Sequence, residues 1–408
     1  METKIVQERQ KKLSGNFRRM FFIQAFQNIR TINVVVVIFY LARGLSLTEV
    51  FNLAIVWSVV NILFEVPSSY LADKWSRNKT IRLGVALYLV SCLLLIVAHS
   101  FFAFGLSIFF YALSNACFTG TDEALIYDTN RELGKHGDSL RRLGQYYSAE
   151  RVFKILSPLV GAYLAKDLVD YQFILLMSID SVCALLALII SFFIFEPKHH
   201  FEVEKVEAGI FRDAAKLIKN NPSLIRLICN RSLAFIGIFI IWRYHQELFI
   251  SAGTSILALG FGWSLFHFIV FVLNYSIHKF WPSKSLSNKI NFLNFLTVIF
   301  IGLFIIGWYF KIHYYWLLAI YLVFNITENI RWPIFSDLVN RYSNSFNRAT
   351  TLSLSNLIKS ILEIPLLFSA GIFITYGFVY PLYISLALVS FASVVLYLPK
   401  EIKFENKC

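Results

Sequence analysis

A chain of 408 residues that is 57% hydrophobic and only 15% charged is no soluble globule. Its formal net charge of +13 would suit a nucleic-acid binder, but 28 of the 38 Lys and Arg lie at the termini or in the turns at 73–82, 128–142, 196–226, 279–289 and 339–348. Only Arg43, Lys166 and Lys311 fall in the alternate turns, a one-sided pattern that signals membrane topology with both termini cytoplasmic, so nucleic acid is excluded as a partner and anionic lipid headgroups account for the charge.

The apolar residues gather into twelve runs, at about 18–41, 46–72, 81–99, 101–127, 143–165, 171–195, 223–250, 255–278, 290–310, 313–338, 348–374 and 378–398. Each is long enough to cross a hydrocarbon layer roughly 30 Å thick. Backbone polar groups in lipid must be satisfied within each run, which makes every run a helix. The expected product is an all-α, multi-pass protein of the cell membrane with twelve transmembrane helices. The 17 residues before the first run are charged and that run is too long for a signal-peptide core, so it is expected to stay as an anchor. Cys92, Cys117, Cys183 and Cys229 lie within runs and Cys408 is terminal, which offers neither a disulfide framework nor metal-ligand spacing.

Segment 1 is polar in its first half. At 100° per residue, Gln24, Gln27, Asn28, Arg30 and Thr31 share an arc of about 160°. A charge at mid-membrane costs roughly 3 kcal/mol, so Arg30 is expected to face protein or water. It binds an anionic group or pairs with an acid on a neighbouring helix. Gln27, Asn28 and Arg30 are candidate cavity residues.

Segment 2 ends in FEVPSSYLADKWSRNKTIR, residues 64–82. Pro67 removes a backbone bond and favours a bend. The turn that follows is strongly basic, with Asp73 at its entrance. Leu71, Ala72, Asp73, Arg77 and Lys79 resemble the loop between helices 2 and 3 of the major facilitator superfamily, although Ser69 and Ser76 stand where glycines are usual. The Glu-x-Pro lead-in looks like that of bacterial drug-exporter-like members. The resemblance implies two pseudo-symmetric six-helix bundles and a cytoplasmic latch built by Asp73, Arg77 and Lys79, with Asp128 as the acid facing Arg77. An ordinary basic turn that only sets topology is the plainer reading of the same residues.

Segment 4 carries Asn115, Thr119, Asp122 and Glu123 on an arc of about 100°, as a polar stripe ending in two acids. Many proton-coupled members of the superfamily have an arginine earlier in this helix; Ala112–Ala116 contains none. The two acids either hold static salt bridges, with Lys154 and Arg30 as available bases, or titrate during transport. Segment 5 places Glu150, Lys154, Ser157, Pro158 and Gly161 on one face, with Glu150 and Lys154 at i,i+4 spacing. Its Ser157–Ala162 stretch is similar to the antiporter motif of the superfamily, with serine and alanine in place of the outer glycines; close helix packing explains the small residues equally well.

Residues 196–222 form the one long hydrophilic interruption. They are expected to hold an amphipathic helix on the cytoplasmic surface, with Ile210, Phe211, Ala214, Leu217 and Ile218 on one side, and His199-His200 is too isolated for a metal site. Residues 1–195 and 223–408 would then be the two six-helix bundles. The second half echoes the first loosely: Glu328 and Arg331 lie in segment 10, and Lys359 and Glu363 precede Pro365 in segment 11.

Seven basic residues and eight acids thus lie inside the segments. Leaving all of them in lipid would cost on the order of 40 kcal/mol, so they line an internal cavity or pair within the bundle. Candidate proton-coupling acids are Asp122, Glu123, Glu150 and Glu363; candidate cavity residues add Asn115, Lys154, Glu328, Arg331 and Lys359. The sequence has no Gly-rich phosphate loop of the G-x-x-x-x-G-K-[S/T] kind, and no catalytic set, cofactor or metal is expected. The leading expectation is a monomeric transporter that exchanges protons for a small amphipathic compound or drug by alternating access. An ion-coupled importer of a sugar, peptide or organic ion is the second, and a non-transporting receptor or scaffold the third.

Overall fold

The computed structural model describes residues 2–134, 139–197, 215–280, 285–342 and 348–399, and all regular structure among them is helical. Each of the twelve segments coincides with a helix or a broken helix. Among the described residues eight helices are both long and apolar enough to span a membrane, and a bent pair at the N-terminus, Lys4–Val34 and Val36–Ala42, makes nine if it is one span. Segments 5 and 10 form helices Ser139–Leu164 and Tyr314–Tyr342. They carry Glu150, Arg151 and Lys154, and Glu328 and Arg331, in mid-run. Segment 12 is helical over Val379–Val394, 16 residues. Pro67, Pro158 and Pro365 lie inside uninterrupted helices.

Three segments depart from the regular helix expected of them; segment 7 divides into Pro222–Trp242 and His245–Ser251. Segment 1 stops at Gln27 and resumes at Val36, with a short 3-10 turn, Thr31–Val34, between. Arg30 has φ −129° and ψ 76°, so the expected 160° arc does not exist beyond Gln27. The physical reason is a carboxylate 149 residues away. Asp180, in helix Asp170–Ser191, accepts from Thr31 N at 2.8 Å, Thr31 Oγ1 at 2.8 Å and Ile32 N at 3.3 Å. Buried at 3% exposure, it replaces the helical partners those groups lack. Gly161 of helix Ser139–Leu164 lies flush against the carbonyl of Thr31, where any Cβ would collide with backbone. Segment 4 breaks at Gly120, whose φ of +77° is open to glycine. It divides into Phe101–Phe118 and Thr121–Glu132. Asp122 and Glu123 are therefore not the end of one stripe begun by Asn115. They open a new helix, where negative charge is favourable.

The chain divides into two compact units: 1–49, 53–201 and 255–267 in the first, and 50–52, 202–254 and 268–408 in the second. The first has a core of Met20, Ile23, Ile81, Val85, Leu125 and Ile126. Within it Gly260 meets Ala162 and the Pro158 carbonyl, an approach only small residues permit. The second has a core that includes Leu224, Leu227, Ile290, Phe335 and Leu338. Large apolar side chains such as Phe102 and Tyr309 stand 79% and 80% exposed, as lipid-facing residues do. The expected interfacial helix falls largely on 198–214, outside the described residues, as do His199 and His200; residues 215–220 are helical.

Candidate functional site

At one end of the first unit, the turn after segment 2 is tied into the bundle. Arg77 donates to the Asp128 carboxylate and, at 2.7 Å, to the Ala124 carbonyl. Helix Arg77–Val97 is capped from a distance: Glu196 accepts from Arg77 N at 3.0 Å and Asn78 N at 2.8 Å. Arg9 pairs with Glu132 at 2.5 Å alongside. Lys79 rests 5.6 Å from the centre of the Trp75 ring. The Asp73 side chain lies outside the described residues. At the opposite end Arg43 pairs with Asp170 at 2.8 Å and donates to the Ala98 carbonyl at 3.2 Å. Glu196 was not picked out in the sequence, although an acid following segment 6 has the reach for such a cap. Glu196→Ala is expected to lower stability by about 1 kcal/mol, read as a lower melting temperature of the solubilised protein, with Glu196→Gln retaining part of it.

Asp122 and Glu123 meet neither Lys154 nor Arg30. Asp122 is bonded to the Tyr146 hydroxyl at 2.6 Å, and Glu123 to the Tyr147 hydroxyl. Tyr146 also lies 2.9 Å from Gln24 Oε1, and Gln24 Nε2 donates to Glu150 at 3.2 Å. Glu150 in turn holds Lys154. Three helices thereby share one polar chain: Asp122, Tyr146, Gln24, Glu150, Lys154. Tyr146 is one turn before Glu150 on the same helix, so extending the polar face of segment 5 backwards would have found it.

One phenol proton serves two acceptors in that chain. The Glu150 carboxylate, held by Lys154, orients the Gln24 amide with its nitrogen toward itself, which leaves Oε1 facing Tyr146. The phenol can donate to Gln24 or to Asp122, not to both. Both bonds form only when Asp122 carries a proton and donates it to the phenol oxygen.

Arg30 stands apart. Its guanidinium lies 4.1 Å from the centre of the Tyr111 ring and 4.9 Å from that of Tyr88, and donates to the Gln27 carbonyl at 3.0 Å. With Asp180, Tyr88 and Tyr111 it lines a cavity of about 90 Å³ within the first unit. Asn28 bonds back to the Gln24 carbonyl at 2.9 Å, and Asn115 reaches Asn61 at 3.3 Å.

The second unit holds its own buried network. Arg331, 1% exposed, donates to Asn294 and Glu328. Asn294 donates to Asn230 at 2.9 Å, and Asn230 to the Ala392 carbonyl at 2.8 Å. Lys359 and Glu363 pair at 2.8 Å. Among the described residues no cluster of three His, Cys, Asp or Glu is placed to hold a metal ion.

The sequence profile of the Major Facilitator Superfamily matches residues 20–364. The chain belongs to the major facilitator superfamily. Comparison with curated protein sequences returned no match. Among solved structures, the nucleoside transporter NupG is similar with a TM-score of 0.74 at 13% identity, over 94% of this chain and 98% of that one. A D-xylose–proton symporter gives 0.71 at 13%, over 96% and 98%. A bacterial homologue of the lysosomal transporter Spinster gives 0.69 at 15%, over 95% of each chain. Identities this low show the fold alone, which is the major facilitator fold of a multi-pass membrane transporter.

Proposed function

We propose that this superfamily member is a proton-coupled exporter that exchanges protons for a small amphipathic organic compound. It works by alternating access between two six-helix halves, 1–195 and 223–408, joined by the 196–222 linker. The observation that carries coupling is the two-acceptor phenol. The chain from Asp122 to Lys154 has a place for one exchangeable proton, on Asp122, and losing that proton breaks a bond between two helices. Gaining and losing it therefore biases the packing of helices Thr121–Glu132 and Ser139–Leu164 against the N-terminal helix. Glu123, Glu150 and Glu363 are the remaining acids for this role. Export, rather than import, rests on the drug-exporter-like Glu65-x-Pro67 lead-in and on the small residues Ser157, Gly161 and Ala162.

The basic turns and the alternate turns lie at opposite ends of the first unit, Arg77 with Asp128 at one and Arg43 with Asp170 at the other. This supports a topology in the cell membrane with both termini cytoplasmic. The Arg77–Asp128 pair, together with Asp73 and Lys79 of the same turn, would then form the cytoplasmic latch. A single chain suffices for the cycle.

Direction is tested with inside-out vesicles carrying an imposed pH gradient, interior acid, and a panel of fluorescent anionic, neutral and cationic dyes. The reading predicts dye accumulation in exchange for protons, collapsed by a protonophore. Uptake only into right-side-out vesicles would make the chain an importer.

A further inference from the structure

We infer that the charge cluster of the second unit binds the anionic group of the transported compound, so that the substrate is an organic anion with a carboxylate or a group of similar shape beside an aromatic or apolar body. The inference rests on the transport reading for its use, but not for the binding itself.

Arg231, Arg331 and Lys359 lie nine, eleven and eleven residues from the 222, 342 and 348 ends of their helices. At 1.5 Å per residue that is about 14–17 Å, the middle of a bilayer core. Three cations therefore sit at one depth on three helices, against two carboxylates, Glu328 and Glu363. The carboxylates are already engaged: Glu328 with Arg331, and Glu363 with Lys359. Arg231 makes no ion pair among the described residues.

The surroundings of Arg231 are those of a binding group rather than of a structural one. It is 8% exposed, and its Nε has no hydrogen-bond partner among the described residues. It donates from Nη1 to a neutral group, Asn356 Oδ1, at 3.3 Å. The guanidinium lies over aromatic rings, 4.4 Å from the centre of Trp332 and 5.2 Å from that of Phe335. A buried cation needs a counter-charge in a low-dielectric setting. A planar guanidinium presents parallel N–H donors that match a carboxylate in two-point fashion. Trp332, 40% exposed, leaves an aromatic surface beside that charge for the rest of the ligand. An anion entering here offsets the net positive charge of these five groups and satisfies the Arg231 Nε donor together.

The test uses the full-length protein in nanodiscs and reads tryptophan fluorescence on titration with benzoate, benzamide and benzylammonium, three ring probes that differ in charge. Saturable binding of benzoate, with benzamide and benzylammonium at least tenfold weaker, is expected. Arg231→Gln is expected to weaken benzoate by about tenfold or more, the worth of a charge-assisted pair. Arg231→Lys, which keeps the charge and loses the planar fork, falls between them and serves if the glutamine variant does not fold. Benzoate and benzamide binding alike, no saturable benzoate response, or unchanged benzoate affinity in a folded Arg231 variant would each overturn the inference. Those outcomes leave gradient-driven transport standing. Benzoate binding in a protein that moves no dye under a pH gradient would instead remove the transport reading.

Discussion

Gly161→Ala is expected to reduce the yield of folded protein severely, although it adds one methyl group. The new Cβ would collide with the carbonyl of Thr31 and lie 2.9 Å from Val34 Cγ1. Flexible side chains can yield to such an intrusion, but backbone held on both sides cannot. Thr31 is pinned by Asp180 through its N–H and its hydroxyl, both at 2.8 Å. Moving it away from position 161 therefore breaks bonds that have no water to replace them. Overpacking alone costs about 1–3 kcal/mol, and each buried polar group left unpaired adds about 1–3 kcal/mol. Gly105→Ala is the control: nothing lies within 4 Å of its added Cβ, and it is expected to be neutral. Size-exclusion profiles and melting temperatures of the two variants decide the matter; equal values would show that the segment 1 break is not held from helix Ser139–Leu164.

The second large effect is on coupling. Asp122→Asn is expected to abolish transport driven by a pH gradient while sparing exchange of substrate for substrate, which needs no net proton movement. Asparagine can still bond Tyr146, so the fold survives, but it cannot release a proton to the cytoplasm or take one up. Glu123→Gln is expected to act mainly on the amount of folded protein. Glu123 is exposed and bonded to Tyr147, outside the chain that links Gln24 to Lys154. Tyr146→Phe removes the shared proton and is expected to weaken the dependence on pH without erasing it. Infrared difference spectra supply a second readout: a protonated-carboxyl band present in the parent should be missing in Asp122→Asn. Full gradient-driven transport by both acid variants would move the proton site to Glu150 or Glu363.

The parts of this architecture legible in the sequence are those written in local composition. Twelve runs of about twenty apolar residues dictate twelve helices, because lipid leaves the backbone no other partner. The Glu150–Lys154 and Lys359–Glu363 pairs follow from i,i+4 spacing on helices. What periodicity could not show is where a distant side chain overrides it. Arg30 and Thr31 read as helix until Asp180, far along the chain, offers their neighbours an alternative. Gly120 was a visible signal for the second break, and its αL backbone divides what reads as one polar stripe. Charge matching also misled at Asp122 and Glu123. Complementary sign pointed to Lys154 and Arg30, whereas the acids meet the phenols of Tyr146 and Tyr147, and Arg30 lies over the rings of Tyr88 and Tyr111. Phenols and rings serve buried charges without being charged, and a search for opposite signs passes over them.

An ion gradient, with no nucleotide, is expected to drive a solute through this chain. Purified protein in sealed proteoliposomes, given an imposed pH gradient and no ATP, tests it most directly. The dye panel is followed inside the vesicles with and without a protonophore. Accumulation of at least one dye above its external concentration is expected, abolished by the protonophore and absent with Asp122→Asn. Mere equilibration of every dye, insensitive to the gradient in protein shown to be folded and inserted, would contradict it.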